Sequence, residues 1–173
     1  MQLFLEILKF TIPAFIVFLT AYLMLRQILK NQYLMNRIDL KRDQQQVTLP
    51  LRLQAYERLT LFCERSSLEN VVLRVRSEGM TATQLQYSIL IALQKEYEHN
   101  VAQQVYVSPT LWEIILLAKN TTIGLVNQVG KELPRDADGN AFSSALFEAL
   151  SGLQGKPFDQ ALLAIKKEAG ELM

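Results

Sequence analysis

Residues Phe10 to Leu25 read FTIPAFIVFLTAYLML, 16 residues without a charge between Lys9 and Arg26, and how this stretch is read decides the fold. A helix of that length spans about 24 Å at about 1.5 Å per residue. The hydrocarbon core of a bilayer is about 30 Å thick. Leu3, Phe4, Leu5, Ile7 and Leu8 before the run and Ile28 and Leu29 after it lengthen the apolar stretch. Lys9 and Arg26 can carry their charges outward on apolar stems. The reading is a membrane-spanning helix anchored by Phe10, Ile12, Phe15, Ile16, Val17, Phe18, Leu19, Tyr22, Leu23 and Leu25. Pro13 falls early in the run, where a lost backbone hydrogen bond costs least.

Three other readings compete. A cleaved signal peptide wants a basic start and small residues at its exit, whereas the start holds Glu6 and the exit reads LMLRQILK. A buried core helix would need a larger body around it than the remaining chain supplies. An interfacial amphipathic helix needs a polar face, and the run offers only Thr11 and Thr20.

Past the apolar run, Arg26, Lys30, Arg37, Lys41 and Arg42 stand against Asp39 and Asp43, a basic collar of net +3. From residue 44 onward 12 basic and 14 acidic residues leave −2. That contrast disfavours a nucleic-acid-binding body, whose basic face covers the whole domain, and suits a membrane surface. With five cations after the run and Lys9 alone before it, the positive-inside rule puts the short N-terminus outside and the bulk of the chain in the cytoplasm, at the inner membrane. A single cysteine, Cys63, forms no internal disulfide and demands no oxidising compartment.

Residues 26 to 46 lack Gly and Pro and carry the helix onward as a stalk. Ile28, Met35, Ile38 and Arg42 fall near coiled-coil spacing, so self-association through the stalk is an alternative to a helix lying alone. VTLP at 47–50 disfavours helix at Leu49, the residue before Pro50, and marks the domain boundary. Leu53, Tyr56, Leu59, Phe62 and Cys63 then recur at steps of three and four, the mark of one buried helix face, and Ser66 and Ser67 close that helix. Leu68 to Val75 reads as helix or strand, with helix preferred because only Val101 to Val107 could partner a strand.

Glu78-Gly79-Met80 is a turn, and Thr81 with Gln84 forms a capping box that opens a helix with Leu85, Ser88 or Ile89, Ala92 and Leu93 inward, ending near His99 and Asn100. Ser108-Pro109 opens the next, which carries Trp112, Ile115, Leu116, Ile123, Val126 and Val129 and stops before Pro134. Arg135 to Asn140 is a loop. Helices over Phe142–Leu153 and Pro157–Leu172 complete the chain.

The residues offer little chemistry. One histidine, His99, and Cys63 lie about 36 positions apart, without the close-spaced pair a zinc site wants. Asp136, Asp138 and Asn140 resemble the start of a calcium loop, but Gly139 and Glu148 fall at the wrong positions. No phosphate loop, dinucleotide fingerprint or serine elbow is present. Glu96, Glu98 and His99 at a helix end read as a solvated face, and no catalytic, cofactor-binding or metal-binding residue is assigned.

LPLRLQAYERLTLF at 49–62, then EHNVAQQVYVS at 98–108 with Trp112 following, resembles a family of short, N-terminally anchored bacterial single-pass membrane proteins that forms a domain of unknown function. The resemblance runs from the anchor to the C-terminus and implies the architecture without an activity.

The sequence therefore predicts an all-α protein: a transmembrane helix and stalk over 1–46, then a compact multi-helix cytoplasmic domain over 47–173. The expected function is a non-enzymatic scaffold or accessory protein that binds another protein at the inner membrane surface, with the lipid bilayer as its other partner and no nucleic acid or cofactor. The alternatives are an auxiliary subunit packed within a larger membrane complex, where Ala14, Thr20 and Ala21 offer weak small-residue contacts, and a hydrolase using Cys63 or His99.

Overall fold

The computed structural model describes the backbone of residues 2–172 and the side chains of 15–32, 35 and 46–172. Among these the chain forms six α-helices and one 3-10 turn, with no strand: α1 Gln2–Ser66, α2 Leu68–Val75, α3 Ala82–Asn100, the 3-10 turn Val101–Val105, α4 Pro109–Glu132, α5 Gly139–Ser151 and α6 Pro157–Gly170. Two compact units divide at Thr48–Leu49.

The membrane-spanning reading is not upheld, because no helix among the described residues is long and apolar enough to cross a membrane. Past Leu25 the polar residues Arg26, Gln27, Lys30, Asn31 and Gln32 interrupt the apolar sequence. Phe15, Ile16, Val17, Phe18, Leu19, Tyr22, Leu23 and Leu25 are exposed, as are Arg26 and Lys30 of the collar. The side chains of Phe10 and Ile12 from the span, and of Arg37, Lys41 and Arg42 from the collar, lie outside the described residues.

A second correction concerns Pro50, which does not end a helix. α1 runs through it without a break. Pro50 withdraws one backbone donor, and a mid-helix proline costs about 3 kcal/mol. Residues 46–50 are all exposed, so water can satisfy the carbonyl left without a donor one turn earlier.

The second unit, Leu49–Met173, is a helical bundle. The C-terminal part of α1 enters its core through Tyr56, Leu59, Phe62 and Cys63, all buried, whereas Leu53 is 39% exposed and does not belong to the inward face. Phe62 meets Phe158 of α6 edge-on, ring centroids 5.7 Å apart. α4 packs chiefly on α6, and α3 packs on α2, α4 and α5. Leu85, Ile89, Leu93, Ile115, Phe142, Leu146 and Ile165 fill the interior. Each comes from a helix with apolar residues at steps of three and four, the pattern that aligns side chains on one face.

Local signals place several boundaries. Ser66 is the last residue of α1, and Leu68–Val75 is helical. Thr81 and Gln84 form both halves of the capping box that begins α3. Ser108 caps α4 by accepting from the Leu111 amide, with Pro109 in the first turn. The loop expected at 135–140 is shorter than predicted, because α5 already begins at Gly139.

The reason for that early start lies across the bundle. Gly139 donates to the Met80 carbonyl at 2.8 Å, and Ala82 donates to the Ala137 carbonyl at 2.7 Å, an isolated antiparallel bridge around Thr81 and Asp138. A Cβ at position 139 would stand 2.8 Å from the Met80 oxygen. Only glycine allows the two turns to come this close.

Candidate functional site

A concavity of about 680 Å³ in the second unit opens between the C-terminal part of α1, α2 and α3. Helical spacing builds both walls. On α1, Gln54, Arg58, Leu61 and Arg65 recur at steps of three and four, the face next to the buried one. On α3 the wall comes from Ala92, Lys95, Glu96 and His99. Arg74 contributes from the last turn of α2, and buried Phe62 lies at the floor.

Its charges are unevenly satisfied. Glu96, with a side chain 14% exposed, accepts from Arg65 Nε at 3.0 Å and stands 2.9 Å from Arg65 Nη2 and 3.5 Å from Arg74 Nη2. All three contacts fall on the same carboxylate oxygen, Oε1. Two guanidiniums thus converge on one oxygen, and each keeps further N–H donors beyond this contact. Arg58 and Lys95 are exposed on the same groove. Counting Glu57 as well, four cations face two carboxylates here. Leu61, 53% exposed, places an apolar surface between Arg58 and Arg65.

The hydrolase alternative finds no joint site. His99 is exposed on the groove, while Cys63 is fully buried and lines a different cavity with Ser67, Lys156 and Phe158. Burial, followed by the neighbouring Glu64 charge, pushes the Cys63 thiol up to about 12. Very little of it is thiolate at neutral pH, and the thiolate is the nucleophile. Of the acids beside His99, Glu96 is held by the two arginines and Glu98 accepts from Gln94 at 2.8 Å. No group of three or more potential metal ligands occurs among the described residues. Asp138 occupies the N-cap position of α5 and accepts from Asn140 at 2.9 Å, which is turn chemistry.

A second polar cluster ties three elements together. Glu168 of α6 accepts from the Ser108 amide at 2.9 Å, from the Ser108 hydroxyl, and from the Tyr56 hydroxyl at 3.0 Å. Arg52 lies 3.7 Å from the same carboxylate, donates to Tyr56 Oη at 2.9 Å and reaches the Tyr106 carbonyl at 3.1 Å. Burial alone would raise the Glu168 pKa, but the donors from Ser108 and Tyr56 and the Arg52 charge outweigh it and hold the carboxyl below its ordinary range. Burial and then the Glu168 carboxylate push the Tyr56 hydroxyl upward. With Ser108 engaged as the α4 cap, this cluster reads as a joint between α1, α4 and α6.

The groove residues were open to sequence reasoning and were missed. Arg58, Leu61 and Arg65 stand at i, i+3 and i+7 of a helix whose buried face was already recognised. The signal was an exposed leucine between two arginines on the adjoining face.

A family model described as "Family of unknown function (DUF7935)" matches residues 2–172 of the chain. The match includes neither a membrane anchor nor a bacterial source in its description. No curated protein and no solved structure matches.

Proposed function

We propose, taking as premise that the chain belongs to the family of unknown function DUF7935, that it is a non-enzymatic accessory protein that binds another protein through the α1–α2–α3 groove. One observation carries this reading: the groove combines exposed Arg58 and Lys95 with the half-exposed Leu61, charged groups and apolar surface side by side. Protein interfaces use this combination, with arginine enriched relative to the rest of a surface and an apolar core inside a polar rim. A small-molecule site is ordinarily more enclosed and more apolar.

Uncovered apolar side chains on α1, from Phe15 to Leu29, add support of a general kind. Contiguous apolar surface on this scale marks a place where something else binds.

Affinity purification of the tagged full chain from its source cells, beside the double variant Arg58→Glu/Lys95→Glu, tests the proposal. The wild type should retain a stoichiometric partner that the double variant loses, with both forms equally folded by circular dichroism. A wild type that purifies without such a partner, or a double variant that keeps it, would refute the reading.

A further inference from the structure

Resting on that reading of the groove, we infer that its occupant is an acidic segment of the partner protein, presenting carboxylates seven residues apart on a helix with an apolar side chain between them. The argument begins with where the positive charge lies. Residues 44–173 carry 12 basic and 14 acidic side chains, so the body as a whole repels an acidic ligand weakly. The groove runs against this balance, gathering Arg58, Arg65, Arg74 and Lys95 around Glu57 and Glu96. Attraction of an anion is therefore local to the groove and not a property of the whole surface.

Spacing supplies the shape of the ligand. From Gln54 to Arg65 the α1 wall extends about 16 Å at about 1.5 Å per residue, and Arg58 and Arg65 lie about 10 Å apart along it, two helical turns. A single carboxylate or phosphate covers a small part of that length. A partner helix of three turns covers all of it, and its residues at i and i+7 repeat the separation of the two arginines. Leu61 then meets the residue three or four positions along, in the manner of helices that dock into grooves through i, i+3 or i+4, and i+7 anchors. Arg65 and Arg74 keep N–H donors beyond their shared contact with Glu96 Oε1, and Arg58 and Lys95 are exposed. Carboxylates arriving here complete bonds that the chain leaves open.

The probe is a fluorescein-labelled, capped helical peptide of 14 residues with glutamates seven apart and leucine between, compared with its glutamine isostere by fluorescence anisotropy on the full chain. The glutamate peptide should bind at least tenfold more tightly, and raising the salt concentration should erase that preference. Arg58→Glu/Lys95→Glu should abolish it, whereas Lys166→Glu/Lys167→Glu on α6, an equal change of charge elsewhere, should leave it intact. Inorganic phosphate at millimolar concentration should not displace the peptide.

Equal binding of the two peptides, absence of binding by the glutamate peptide, or equal loss in both double variants would overturn the acidic-segment inference. Displacement by phosphate would replace it with a small-anion site. If the wild type nevertheless retains a stoichiometric partner that the groove variant loses, the protein-binding reading stands while this inference falls. Retention by the groove variant would remove both.

Discussion

Glu168→Gln probes the joint between α1, α4 and α6 with the smallest change of shape. The carboxylate holds the Ser108 amide at 2.9 Å, the Tyr56 hydroxyl at 3.0 Å and the Ser108 hydroxyl, with Arg52 3.7 Å away. Hydrogen bonds to a charged partner contribute about 1.5–3 kcal/mol each when well buried. Glutamine keeps one acceptor oxygen, and the Glu168 and Arg52 side chains are 17% and 35% exposed, so solvent screens part of the loss. The net cost is then about 2 kcal/mol. For a unit of about 125 residues, an unfolding entropy of about 2.1 cal/mol/K per residue converts this to a fall of about 8 °C in the melting midpoint.

The pH dependence has a definite sign. The carboxyl of Glu168 is depressed in the folded chain. Its contribution is fully present above the unfolded value of about 4.3 and is lost as pH falls through the lower folded value. Thermal melts of both proteins by circular dichroism at pH 7, 5, 4 and 3 should show a gap that is widest at pH 7 and closes toward pH 3. A gap independent of pH, or midpoints at pH 7 agreeing within about 2 °C, would refute the reasoning.

Phe62→Ala should cost about 3–5 kcal/mol, because the ring is buried and meets Phe158 edge-on; urea titration of the variant would show it, and a cost below about 1.5 kcal/mol would mean that the α1–α6 contact is not part of the core. Gly139→Ala should destabilise by about 1–3 kcal/mol, since the added Cβ would stand 2.8 Å from the Met80 carbonyl oxygen; an unchanged midpoint would show that the 80–82 and 137–139 segments do not approach so closely. The Cys63 thiol should resist a disulfide reagent at pH 8 in the native chain and react at once in denaturant; stoichiometric reaction of the native chain would contradict its burial.

What the sequence made legible follows from how local the signals are. The capping box at Thr81 and Gln84, the Ser108-Pro109 start and the break at Gly155-Lys156-Pro157 are each settled within one helical turn, and each lies at the boundary expected of it. The sequence places Gly139 in a loop because its reason for being glycine is the Met80 carbonyl, about sixty residues away in sequence. Pro50 misled for the opposite reason. Its penalty is real but local, and a long helix that is exposed around residues 46–50 can absorb it by hydrating one carbonyl.

The membrane reading and the groove show two further limits of pattern. An uncharged run records how apolar a segment is, whereas crossing a bilayer demands length and apolarity together, and no helix among the described residues meets both demands. The groove was hidden because apolar periodicity identifies the face a helix buries and says nothing of the face beside it. On α1 the buried face is Tyr56, Leu59, Phe62 and Cys63, and the groove face, Arg58, Leu61 and Arg65, is displaced from it by a single position. Its cations on α1 become a cluster only where α2 and α3 bring Arg74, Lys95 and Glu96 alongside them. Charge on one helix is decoration; charge gathered from three helices around a shared carboxylate creates a field that a ligand can meet.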